Sequence, residues 1–512
     1  MYSKILSGTA IGIEGMLICV EADTGPGMPG LFLVGYLSSS VREAADRVRT
    51  AMKNIGFPLP PCRITVNLSP ADVRKEGSAF DLPIAVSIIL SRKKDISEEL
   101  KRFMSETLFL GEMGLNGDIL PVTGVLPVVE MAKNNGIRRV IVPYGNVLEA
   151  SYINGIEVIG VRSFTEIMDI FESGVYPEPY EMPSDFFIPE EPEYDLKEIR
   201  GQEMMKRGII IAVSGFHNIL LTGAAGSGKS MAAKCIPGVM PPLTYEESLE
   251  LTKIYSVSGK LDLKKGPVRV RPFRSPHQSV SDVALMGGGT NAKPGEISLA
   301  TGGVLFLDEF PEFPRGVIES LRQPMEDKKI TISRIKATYT YPARFMLVAA
   351  RNNCPCGFYP DRSKCRCSSA EIYKYQNKIS HPIMDRIDIR LQIKPVSYEQ
   401  LFGEPGGIST EEAREIICDA RKRQEYRYRN ESFSFNSELP QGLIDKYIDF
   451  SESETELLRE LFENTDISAR GYFRMLRLIR TVADVDGCEK PERKHIEEAL
   501  FFRNEARRDE AI

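Results

Sequence analysis

One stretch, NILLTGAAGSGKSMAAKC from Asn218 to Cys235, narrows the possible folds more than any other part of this chain. Gly223 to Ser230 reads Gly-x-x-x-x-Gly-Lys-Ser, with the apolar run Ile219 to Thr222 before it and small residues after it. Strand, glycine-rich turn and helix in that order make a phosphate loop. Glycines let successive backbone N–H groups turn inward onto phosphate oxygens, and the helix N-terminus adds partial positive charge. The expected ATP cradle is therefore Gly223, Ala224, Ala225, Gly226, Ser227, Gly228, Lys229 and Ser230. Lys229 is expected on the β- and γ-phosphates, and the Ser230 hydroxyl on Mg²⁺.

Such a loop needs partner strands. GGVLFLDEF carries four apolar residues, Val304 to Leu307, into Asp308 and Glu309. Ligands bind at the C-terminal ends of strands in open α/β sheets. Asp308 is expected in the Mg²⁺ shell, and Glu309 as the group that orients or deprotonates the attacking water. A third apolar strand, RFMLVAARNN, ends at Asn352, placed beside the γ-phosphate to position that water. In HPIMDRIDIRLQI, Arg386 lies between a short helix and a strand. There it reaches a neighbouring subunit's nucleotide, or else pairs with Asp385 or Asp388. In DISARGYFRML, Arg470 opens a helix and is the lid candidate for the γ-phosphate, with Arg474 one turn later as its competitor.

The rest of the chain divides around this core. Its 512 residues suffice for about three domains. Residues 1–175 mix short apolar runs (LFLVG, RITVNL, RVIVP) with helical patterns, as in an α/β or α+β domain. Residues 176–198 are acidic and proline-rich and read as a linker. Residues 199–395 alternate strands and helices, which implies a parallel sheet, and 396–512 read as helical. The net charge of −6 excludes a globally basic coat but leaves room for a local basic channel. No run approaches the roughly 20 apolar residues that span a bilayer, and no signal peptide is legible, so the expected compartment is the cytoplasm, with no membrane partner.

Taken in order, these motifs resemble an AAA+ ATPase. The stretch from Arg271 to Arg334, with YPARFMLVAARNNCPCG after it, resembles the magnesium-chelatase-like branch and within it the YifB/ComM family. The resemblance spans essentially the whole chain and is densest from Ile199 to Ile389. It implies an insert at about 271–289 and a β-hairpin, ITISRIKATYTYPARF, both facing a central pore, with Arg334 and Lys336 near the hairpin tip. Basic hairpin tips suit a nucleic-acid backbone, although the same charges fit a plain solvated hairpin. The basic and aromatic stretch DARKRQEYRYRN reads as a solvated helix face rather than a DNA contact.

The N-terminal domain resembles the Lon-protease-like fold (ribosomal S5 domain 2-like, ChlI-type). Ala79 and Leu126 fall where Lon has its nucleophilic serine and its lysine, and Ser78 is one position off. Without a hydroxyl and an amine no Ser–Lys dyad forms, so the domain is expected to be proteolytically inactive and to serve binding or assembly. Three functions follow from the resemblance. The first is a hexameric ring motor on branched or single-stranded DNA, acting as a branch-migration enzyme or helicase in recombination or natural transformation. The second is a protein-remodelling factor whose N-terminal domain recruits partners, and the third is a chelatase accessory ATPase. The family often reads Asn-Pro before the first cysteine, where this chain has Asn352-Asn353.

Four of the nine cysteines, Cys354, Cys356, Cys365 and Cys367, crowd into a loop at 354–367. Four thiolates from one short turn suit tetrahedral Zn²⁺, although the one-residue gaps are tighter than usual structural spacing. An Fe–S cluster or free redox thiols remain open, and His381 is a minor alternative ligand. Disulfides do not fit the expected compartment.

Overall fold

The computed structural model describes residues 2–93, 95–183, 193–334, 337–394, 407–464 and 467–504. The apolar runs of the first 175 residues pair into one seven-stranded sheet. Its order is Gly30–Val34, Arg63–Ser69, Glu14–Gly25, Tyr2–Ile11, Thr107–Phe109, Arg139–Pro143 and Glu157–Val161. The helix Ala44–Asn54 buries Ala44, Val48, Ala51 and Met52, one helical stripe, against one face. Asp81–Arg92 lies beside it and is apolar and buried nearly all round. The helix Val125–Asn134 covers the opposite face. It approaches so closely that a Cβ on Gly15 would sit 2.2 Å from the Pro127 carbonyl oxygen.

The second sheet is the one the phosphate loop requires. Its five strands, all parallel, run Phe273–Arg274, Val304–Leu307, Met346–Arg351, Ile219–Gly223 and Ile389–Ile393. Strands buried on both faces read as continuous apolar runs, which is why the sequence marked them. The outer strand, Phe273–Arg274, corrects one expectation. The insert at 271–289 begins inside the sheet and leaves it only after Arg274. Arg271 is buried and grips Glu247 with two hydrogen bonds of 2.9 and 2.8 Å. The expected hairpin forms from Lys329–Arg334 and Ala337–Pro342.

Among the described residues the long helices that follow are Thr410–Tyr428, Glu452–Asn464, Ala469–Val485 and Arg493–Asn504. They share one core with the helix Glu203–Gly215. The stretch 419–430 is solvated along one face, as expected, with Lys422, Arg423, Glu425, Tyr426 and Arg429 exposed, but two of its arginines turn inward. Arg421 is buried and donates to the Val213 carbonyl at 2.9 Å. Arg427 donates to the fully buried Asp484 at 2.8 Å. Charges on a helix are read as solvated by default, but a backbone carbonyl of the helix Glu203–Gly215 holds Arg421 inward and the Asp484 carboxylate holds Arg427. Among the described residues no helix is long and apolar enough to cross a membrane.

The N-terminal domain is fastened to the second sheet's unit through the helix Tyr245–Ser258. Tyr152 Oη donates to Ser248 Oγ at 2.8 Å, Tyr245 Oη donates to the Tyr152 carbonyl at 2.9 Å, and Ser256 bonds the buried Glu149. Lys253 pairs with Glu130.

Candidate nucleotide site and cysteine cluster

The loop after Ile219–Gly223 is shaped by its glycines. Gly223 has no room for a side chain, because a Cβ would lie 2.7 Å from the Ile393 carbonyl oxygen. Gly228, at φ +89°, turns the chain left-handed into the helix Lys229–Val239. Lys229 is buried at the start of that helix. Its Nζ donates to the carbonyls of Gly223 and Ala224 at 3.0 and 2.8 Å and to Asn352 Oδ1 at 3.0 Å. Burial lowers its pKa, while Asp308 and Glu309 act in the opposite sense. Ser230 Oγ donates to Asp308 Oδ2 at 2.8 Å. Ser227 Oγ is buried with no hydrogen-bond partner among the described residues. An unsatisfied hydroxyl, an ammonium that meets only oxygens and a hydroxyl–carboxylate pair are what a magnesium nucleotide would engage.

Asp308 also accepts the N–H of Glu309 at 2.9 Å, which helps hold the next residue in place. Glu309 is exposed at φ +49°. A non-glycine residue in the left-handed region stores about 1–3 kcal/mol, and such strain concentrates where side chains must be aimed. Three separate strands thus deliver Lys229 and Ser230, Asp308 and Glu309, and Asn352 to one end of the sheet.

The arginines part company. Arg386 is buried, donates to the Pro382 carbonyl at 2.6 Å and pairs with Glu326, which was not a partner considered from sequence. Its Nε is buried without a partner among the described residues. Arg474 donates to Asp388 Oδ1 at 3.0 Å and to the Arg386 carbonyl at 3.2 Å. Arg470 is exposed in the first turn of its helix. The two lid candidates therefore differ: Arg474 is committed to a buried carboxylate and Arg470 is not.

The sequence reading weighed that carboxylate only as a partner for Arg386, and its pairing with Arg474 was not foreseen. Asp388 is buried and accepts the Asn218 N–H at 3.2 Å, with His217 Nδ1 at 3.4 Å. Asn218 donates to the Arg386 carbonyl at 3.0 Å and accepts the Leu347 N–H at 2.8 Å, so one amide ties neighbouring strands together. The available signal was a lone acid inside the apolar run Ile387 to Ile389.

The four cysteines of the 354–367 loop do meet. Their sulfur atoms all lie within 4.8 Å of one another, and Cys354 stands 3.3 Å from Cys356 and 3.7 Å from Cys365. Zn–S bonds of about 2.3 Å in a tetrahedron imply sulfur–sulfur edges of roughly 3.8 Å, so the donor set fits. Hydrogen bonding from the Phe358 N–H, then from Cys354, lowers the Cys356 pKa to about 6. His381, at the start of the helix His381–Met384, is not part of this group. The loop is bound to the nucleotide site, because the Ala225 N–H donates to the Gly357 carbonyl at 3.1 Å.

Of the two hairpin-tip residues, Arg334 is exposed and donates to the Gly289 carbonyl. Lys336 lies outside the described residues. In the N-terminal domain Leu126 is buried and Ala79 packs beside the same apolar cluster, while Ser78 Oγ donates to Glu112.

Comparison with known proteins agrees with this geometry. Family models described as magnesium chelatase subunit ChlI, subunit ChlI of Mg-chelatase, and the ChlI C-terminal region match residues 195–401, 20–146 and 407–503. The uncharacterized protein YifB of Escherichia coli K12 is 36% identical over 503 residues, covering 98% of this chain and 97% of its own. Competence protein ComM of Haemophilus influenzae is 36% identical over 510 residues, with the same two coverages. Over 143 residues, 27% of this chain and 25% of the other, Lon protease 2 of Bacillus subtilis is 28% identical. The chain belongs to the YifB/ComM family of magnesium-chelatase-like AAA+ proteins.

Proposed function

We propose that this chain is an ATP-hydrolysing ring motor whose substrate is DNA, on which it performs branch migration or helicase work in recombination or natural transformation. The observation that carries the ATPase part is the hydrogen-bonded set of Lys229, Ser230, Asp308 and Asn352 beside Glu309. Lys229 holds the β- and γ-phosphates once they replace its carbonyl partners. Ser230 and Asp308 hold Mg²⁺, which neutralises charge on the phosphates. Glu309 takes the proton of the attacking water, and Asn352 positions that water. Arg386 completes the site of a neighbouring subunit, and Arg470 approaches the γ-phosphate from the lid. A guanidinium in that role is worth about 10³–10⁵ in rate. Arg386 would have to leave Glu326 for this task.

The DNA part rests on kinship with a competence protein and on the exposed Arg334 at the hairpin. A hexamer would place six such hairpins around one pore. Assay of ATP hydrolysis and strand displacement on a panel of branched substrates tests the reading. DNA raises turnover, and affinity falls steeply with salt as counterions are released. Absence of stimulation by branched, single-stranded and double-stranded DNA would overturn it.

The cysteine cluster holds structural Zn²⁺ in this reading and braces the loop that contacts Ala225. Elemental analysis is expected to find about one zinc per chain. Cys354→Ser combined with Cys365→Ser removes it and lowers the thermal midpoint. A metal-free native protein with four titratable thiols would refute the assignment.

A further inference from the structure

A sizeable cavity lies away from the nucleotide loop. It measures about 960 Å³ and opens between the N-terminal domain and the hairpin of the ATPase unit. One wall is the strand Tyr2–Ile11. That strand pairs with Glu14–Gly25 along its whole length, but on its other side it meets Thr107–Phe109 at Leu6 alone. Ile11 and Glu14 close a two-residue turn, and hydrogen-bonded pairs alternate along an antiparallel ladder. The backbone N–H and C=O of Gly8 and Ala10 therefore point away from the partner strand. Among the described residues no strand continues the ladder on that side beyond Leu6. Both residues line the cavity.

The other wall comes from the hairpin. Tyr339 lies close enough to Gly12 that a Cβ there would stand 3.9 Å from its ring. The charged lining is balanced: Asp72, Glu76 and Glu112 against Arg74, Lys293 and Arg334. Arg74 and Glu76 are paired at 3.0 Å. A polyanion needs a surplus of positive charge, which the described lining residues do not supply. A strand edge that no further described strand pairs, with Gly8 buried at its floor and Ala10 partly exposed, suits a polypeptide main chain in a charge-balanced, tyrosine-bearing cleft.

We propose that this cavity binds an extended polypeptide segment, which adds as a strand to the Gly8–Ala10 edge and packs against Tyr339. The inference does not draw on the ATP site, and it shares Arg334 and the hairpin with the DNA reading. It gives the N-terminal domain a partner class, unfolded or extended protein, where the resemblance to Lon had left only a missing dyad.

The test uses the full chain with fluorescein-labelled β-casein as an unfolded probe and a thirty-nucleotide oligothymidylate as the competing class. Casein binding is read by anisotropy and by amide hydrogen exchange over residues 2–13. Ala10→Pro removes the cavity-facing N–H without touching the ladder to Glu14–Gly25. It is expected to weaken casein binding about fivefold, the effect of one strand hydrogen bond, and to leave ATP turnover unchanged. Casein is expected to slow exchange in residues 2–13 of the unsubstituted chain, which decides the matter even if the proline variant does not fold. Lack of casein binding, or binding with neither effect, overturns the proposal. Protection of residues 2–13 by the oligonucleotide instead would assign the cavity to nucleic acid.

Discussion

Glu309→Gln is expected to leave ATP binding intact and to lower turnover by about 10²–10⁴-fold, the usual contribution of a positioned general base. The change is confined to chemistry because Glu309 is exposed and the bond from Ser230 goes to Asp308. Glutamine keeps the length of the side chain and cannot accept the proton. Lys229→Ala behaves differently. It deletes a buried ammonium that meets three oxygens, so nucleotide affinity itself falls. Titration with a fluorescent ATP analogue and measurement of phosphate release separate the two effects. A Glu309→Gln protein that hydrolyses ATP within threefold of the unsubstituted rate would remove Glu309 from the reaction.

The second large effect concerns stability. Asp388→Ala is expected to cost about 3–5 kcal/mol, as breaking one side of a buried ion pair does. It strands Arg474 and leaves the Asn218 N–H and the His217 ring without their carboxylate. The pH dependence follows from the direction of the Asp388 shift. Burial alone would raise its pKa, but Arg474 and then His217 outweigh burial and hold it below the ordinary carboxylate range. The carboxylate's contribution is thus fully present above the unfolded value of about 3.9 and is lost as pH falls below it. The thermal midpoint of Asp388→Asn should trail that of the unsubstituted chain at pH 7 and converge on it in acid. An equal gap at pH 7 and pH 3 would show that Asp388 is not the titrating group.

These predictions differ in how legible their residues were. Lys229, Ser230, Asp308 and Asn352 were legible because three apolar strands deliver them, and strand ends in a parallel sheet converge by rule. Distance along the chain did not matter: Lys229 and Asn352 are 123 positions apart and still bond. Asp388 and Arg474 are 86 positions apart with no such rule to join them. The helix containing Arg421 and Arg427 was legible as a helix. The inward turn of these two was not, because composition shows a charge and not the carbonyl or carboxylate that meets it.

The cysteine loop shows both sides of this division. Spacing alone could bring Cys354, Cys356, Cys365 and Cys367 together, since one short turn suffices. Only the tertiary structure places Gly357 against Ala225 and so joins that loop to the phosphate cradle. The amino-acid sequence by itself determined the two sheets, the phosphate loop and the acidic pair, because periodicity and glycine conformation act over a few residues. The tertiary structure decided that Arg474 is held by Asp388 while Arg470 is exposed, where Arg386 rests and that a strand edge faces the hairpin. Those outcomes depend on desolvation and on partners from distant segments, which no local pattern encodes.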